Sequence, residues 1–181
     1  MTESQLFIIL KNRLCRNNGN GPSFVLIPHV KNDAGHKGSR TIDAIGMSLY
    51  PSRGLELHGF EIKSTRSDWL RELVQREKSE CWKSIVDRFW LVSDLGVARS
   101  SEIPTGWGWM EVRGRSLRQR MAAPLIVSTA TLDEERAIHL PIGFDRGQLA
   151  ALLRAATKTT DYSTLGGGGL EETEGAGRRE R

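Results

Sequence analysis

Residues 41–50 read T-I-D-A-I-G-M-S-L-Y, and residues 58–70 read H-G-F-E-I-K-S-T-R-S-D-W-L. The first run is apolar with one acid, Asp43, near its start, and predicts a strand over 40–50. The turn 51–54 (P-S-R-G) ends it, and a further strand is expected over 55–63, with Leu57, Phe60 and Ile62 at its apolar positions. Residues two apart on a strand project from one face. Glu61 and Lys63 therefore emerge together, and Ile62 points the other way into the core. A helix should follow, capped by Ser67 or Asp68, with the Asp68 carboxylate at the positive end of the helix dipole. Leu70, Leu73, Val74, Cys81, Ile85 and Val86 recur at helical spacing and should face a sheet. The run R-F-W-L-V-S at 88–93 is the next strand. Strand, helix and strand in direct succession imply a parallel crossover.

The flanking segments extend this unit. Leu6, Phe7, Ile9, Leu10 and Leu14 give a helix over 4–15 one broad apolar face, with Thr2 or Ser4 as cap. N-N-G-N-G-P at 17–22 is a turn cluster, and S-F-V-L-I-P-H-V at 23–30 is a buried strand. Pro28 assigns that strand to an edge or a strand end. A polar loop occupies 31–39. W-G-W-M-E-V-R at 107–113 is a fifth strand, followed by Arg113, Arg115, Arg118 and Arg120 with no acid among them. Residues 124–130 suit a short strand, and 144–156 a helix capped by Asp145. The expected fold is α/β: a mixed central sheet flanked by helices, with core order α-β-β-β-α-β. One domain over 1–157 is expected, with a disordered glycine-rich charged tail over 158–181.

Composition excludes several classes. The chain has 181 residues, 38% hydrophobic and 27% charged, which fits a globular domain. No apolar run approaches the roughly 20 residues that span a bilayer, so no membrane is expected. Glu3 stands where a signal peptide would carry positive charge, and Cys15 and Cys81 are too few for a cysteine metal site. A reduced, cytoplasmic setting is expected. Net charge is +4; without the last twelve residues, 23 basic face 18 acidic residues. That is a mild bias toward polyanions. No P-loop, dinucleotide fingerprint, H-E-x-x-H or nucleophile elbow occurs.

Asp43, Glu61 and Lys63 carry the chemistry. Magnesium takes one or two carboxylates plus waters and substrate oxygens. Asp43 and Glu61 supply two hard ligands, and the backbone carbonyl of Ile62 a third oxygen. An aspartate inside a strand is costly to bury without a partner, which favours function over a pairing with Arg40. Glu61 and Lys63 taken alone read as an ordinary exposed pair. It is Asp43 and the element order that lift them above that reading. Trp69, Trp82 and Trp90 read as core or interface aromatics, not base-stacking platforms, and Cys81 as packing.

The pattern I-D, 17 residues, E-I-K resembles the PD-(D/E)XK nuclease superfamily with its restriction-endonuclease-like fold. E-I-K-S-T-R-S-D-W-L is also similar to small phage and bacterial members linked to DNA repair and recombination. The likeness covers residues 4–92; Ile42 replaces the family's proline. It implies a DNA-cleaving enzyme with Mg2+ or Mn2+ at Asp43, Glu61 and Ile62, and Lys63 orienting water or stabilising the transition state. The family's additional first-helix acid would be Glu3, which falls at or before the helix start and carries little weight. Lys78 and Trp82 stand where some branches carry glutamine and tyrosine. Arg40, Lys37, Arg66, Lys78, Arg113, Arg115 and Arg118 are the expected DNA contacts, and the fold leaves a homodimer open. The rival readings are a non-catalytic nuclease-like module that binds nucleic acid or protein, and an acid–base enzyme unrelated to nucleic acid.

Overall fold

The computed structural model describes residues 1–16, 22–32, 40–75, 77–83, 85–126, 152 and 156. Helix α1 (Glu3–Leu14) leads into strands β1 (Phe24–Lys31), β2 (Thr41–Ser48) and β3 (Leu57–Lys63). Helices α2 (Arg66–Val74) and α3 (Glu77–Lys83) precede β4 (Arg88–Asp94), β5 (Trp107–Arg113) and β6 (Ser116–Met121). The described strands form one mixed sheet in sequence order, with β1 and β6 as the edges among them. β3, β4 and β5 run parallel, and the outer pairs are antiparallel. The mixed α/β sheet and the parallel β3–β4 crossover agree with the sequence reading.

The period-2 pattern of the strands splits the core into two. On one face Leu6 and Leu10 of α1 pack with Phe24, Phe60, Ile62, Trp90, Val92 and Met110. On the other, Trp69 and Trp82 pack with Leu57, Phe89, Leu91, Trp107 and Trp109. Burying these aromatics supplies a large share of the folding free energy, at ~25 cal/mol per Å2 of apolar surface. Thr2 caps α1 in a capping box with Gln5, as the sequence suggests. Gly108 is needed where the Trp90 ring lies against β5: a Cβ there would sit 2.4 Å from the ring.

Several expectations are corrected. The helix after Lys63 is two helices, capped by Thr65 and not by Ser67 or Asp68. No glycine or proline marks the break. Trp69 and Trp82 are both buried, yet a straight helix would set them about 220° apart at ~100° per residue. Breaking after Val74 lets both face the sheet. Leu70 and Val74, expected inward, are 45% and 86% exposed. The arginine segment forms β6, joined to β5 by a two-residue turn in which Gly114 has φ 60°, the glycine-first pattern of a tight hairpin. Residues 124–126 are irregular, and 127–130 lie outside the described residues. So do residues 17–21 of the 17–22 turn, residues 33–39 of the 31–39 loop, the tail, and the 144–156 helix except helical Leu152 and Ala156. No described helix is long and apolar enough to cross a membrane.

Candidate functional site

β2 and β3 part at their ends nearest α2, and the site lies in that opening. Their ladder runs from Met47–Leu57 to Ala44–Phe60 and stops there. Beyond it the Asp43 side chain replaces the ladder, its Oδ2 accepting from the Ile62 N–H at 2.7 Å. The β1–β2 register, which pairs Pro28 with Ala44 and Val30 with Ile42, sets His29 opposite Asp43. His29 has φ 51°, a left-handed conformation costing a β-region residue of its kind about 1–3 kcal/mol.

Glu61 and Lys63 emerge on one face, as their spacing requires. Lys63 Nζ lies 2.9 Å from Glu61 Oε2, 3.4 Å from Glu72 Oε2 and 3.6 Å from Asp43 Oδ2. An ammonium has three N–H donors, and here three carboxylates compete for them. The cluster is largely buried: Lys63 is 12%, Glu61 8% and Glu72 14% exposed by side chain. Burial, and then Asp43 beside it, raises Glu61 above the usual carboxylate range. Burial alone would lower Lys63, but the Glu61 and Asp43 carboxylates outweigh it and hold the ammonium above the ordinary lysine value. Three acids around one lysine leave the pocket with excess negative charge.

Two participants escaped the sequence reading. Glu72 arrives because Thr65 caps α2 directly after β3, its hydroxyl accepting from Asp68 N–H at 3.2 Å, so the helix folds back over Lys63. Ser79 of α3 donates to the other Glu72 oxygen. Their only sequence signal was a carboxylate and a hydroxyl seven residues apart, ambiguous until the helix breaks. Glu3, given little weight, sits in the first turn of α1 and lines a cleft of about 280 Å3 with His29, Asp43 and Ile62. Burial, and then Asp43, raises its carboxyl.

The expected DNA contacts divide. Arg66 grips Glu102 through two 2.5 Å contacts and the Val97 carbonyl at 2.9 Å. It holds the start of α2 to the following loop and keeps the Glu102 carboxyl down at about 2. The Arg40 backbone closes the β1–β2 loop against Asn32. Lys37 and the Lys78 side chain lie outside the described residues. The arginine segment does have an acid: buried Glu111 lies 3.4 Å from Arg113 Nε, 3.8 Å from Arg120 Nε and opposite Arg118. Arg120 also stacks over Trp109 at 5.7 Å. Arg115, on the turn, lines a groove with α1. Trp69 and Trp82 are core residues, Trp90 belongs to the α1-side core, and both cysteines are free thiols.

No family model matches the sequence. No curated protein matches it either. Among solved structures the chain is similar to SPO1766, a protein of unknown function from Silicibacter pomeroyi. The two share 17% identity over 83% of this chain and 86% of that one, with a TM-score of 0.51. At that identity the likeness shows a shared fold alone.

The residues fit a hard divalent cation in part. Asp43 Oδ1 and Glu61 Oε1 make no hydrogen bond among the described residues, which leaves two carboxylate oxygens open. No three His, Cys, Asp or Glu side chains among the described residues converge as a cage. The donor set therefore suits magnesium or manganese, which keep waters and substrate oxygens as ligands, over a metal needing a full protein cage.

Proposed function

We propose that the chain is a metal-dependent nuclease of PD-(D/E)XK type that hydrolyses DNA phosphodiesters, in repair, recombination or phage DNA processing. The observation carrying this reading is the placement of Lys63 against Glu61 and Asp43 where β2 and β3 part. Asp43, Glu61 and the Ile62 carbonyl would hold Mg2+ or Mn2+, which supplies Lewis-acid activation of water and phosphate. Lys63 keeps its proton in this setting and presents positive charge where the phosphorane's negative charge develops. The Asp43–Ile62 hydrogen bond orients the carboxylate and the peptide together. Glu72, itself held by the Ser79 hydroxyl, steadies the lysine from behind.

The test is cleavage of labelled single-stranded, duplex and branched DNA with Mg2+, using Asp43→Ala, Glu61→Ala and Lys63→Ala. Loss of cleavage with an unchanged circular dichroism spectrum supports the assignment, and undiminished cleavage in all three refutes it. DNA binding without cleavage by the wild type would favour the non-catalytic module instead.

A further inference from the structure

A second groove, of about 660 Å3, runs along α1. It touches that helix at Gln5, Ile8 and Asn12, in steps of three or four residues, so one helix face forms its wall, and Arg16 just beyond the helix continues it. Gln5 to Arg13, the helical part of that wall, spans about 12 Å at ~1.5 Å per residue. The β5–β6 turn, with Arg115 at its tip, forms the opposite wall. Arg13, Arg16 and Arg115 are exposed, line the groove and have no carboxylate partner among the described residues. Among the described residues no acid lines it. Arg13 in the last turn of α1 suits the negative end of that helix. This explains neither Arg16, beyond the cap, nor Arg115, on a different element. Ile8, 54% exposed, lines both this groove and the Asp43 cleft, so the two meet on α1.

Resting on the nuclease reading, we propose that this groove carries the phosphodiester backbone of the strand flanking the scissile phosphate. Arg13, Arg16 and Arg115 each take a phosphate, because a guanidinium fork matches two phosphate oxygens. Ile8 and Leu117 lie against sugars and bases.

The probe is a fluorescein-labelled single-stranded DNA of about 20 nucleotides, longer than the ~4–16 nucleotides of common single-strand sites. Its anisotropy is followed in EDTA over a salt series. The Arg13→Gln/Arg16→Gln/Arg115→Gln variant should bind at least tenfold more weakly. Its slope of log affinity against log salt should shrink by about 2, at ~0.7 per lost contact to a single strand. Arg115→Gln alone, which leaves α1 intact, should lose about a third of that slope. Mg2+-dependent hydrolysis of bis(p-nitrophenyl) phosphate, too short to reach the groove, should be unchanged in both. Wild-type affinity and slope in the triple variant would overturn the groove and leave the nuclease reading standing. A wild-type protein that neither binds the oligonucleotide nor hydrolyses the diester would overturn both.

Discussion

Lys63, Ser93, Glu111 and Arg118 form one row across the sheet, each paired with the next. Lys63 and Glu111 are thus two strands apart, about 10 Å at ~4.8 Å per strand. Around Lys63 stand three acids, and around Glu111 three arginines. The stoichiometries mirror each other, but the settings do not. Arg113 and Arg120 keep 48% and 44% of their side chains in water, so surplus positive charge there costs little. Glu61 and Glu72 are enclosed, and surplus negative charge between them is expensive to keep. A fold under selection for stability alone would have neutralised one of them. On the proposed nuclease reading, buried excess charge marks the site better than the number of charged residues does.

The sharpest way to break this contrast is Lys63→Met. Removing the only cation that the described residues place within this enclosed set of acids should cost roughly 3–5 kcal/mol, measured by urea denaturation in EDTA, and should end cleavage. Glu61→Gln should act oppositely on stability. It relieves repulsion and should raise the melting temperature in EDTA while also ending cleavage; a fall would show that the carboxylates are not in conflict.

His58 offers a buried titrating group outside both clusters. It accepts from Trp90 Nε1 at 3.1 Å and lies 3.5 Å from Glu56. Burial depresses its pKa to about 4 from an ordinary 6.5. Below pH 6.5 the unfolded chain takes up a proton that the fold refuses until about 4. Stability should therefore fall across that window, by no more than about 3 kcal/mol. His58→Asn, which keeps an acceptor for Trp90, should flatten the slope in a pH series of denaturation curves.

Smaller effects belong to the arginine-rich side. Glu111→Gln keeps one acceptor oxygen, for either the Gly96 N–H or the arginines, and should cost about 1 kcal/mol, with cleavage within a few-fold of wild type. Arg118→Ala should change stability by no more than about 0.5 kcal/mol. A large loss of cleavage from either would erase the distinction between the clusters.

Much of this was legible in the chain, for identifiable reasons. Period-2 and period-3.6 patterns encode the faces that strands and helices bury, so the sheet, the crossover and the Glu61–Lys63 pair could be read directly. The helix break could not. It arises because Trp69 and Trp82 both need the core, and no local breaker announces it. Glu72 and Ser79 were hidden by that break. Glu111 was overlooked because the arginines were counted from 113 onward, whereas the hairpin folds them back across residue 111. Tertiary pairing reassigns a charge pattern that looks one-sided along the chain.

The two edges of the sheet bear on self-association. Pro28 on β1 has no N–H to offer a neighbouring strand, and His29 beside it bends out of extended geometry. On β6, Arg118 and Arg120 set like charges along the outer strand. Each device is a known guard against strand-to-strand pairing. Both edges among the described strands therefore disfavour the merging of two copies into one continuous sheet, in a dimer or in an aggregate of partly opened molecules.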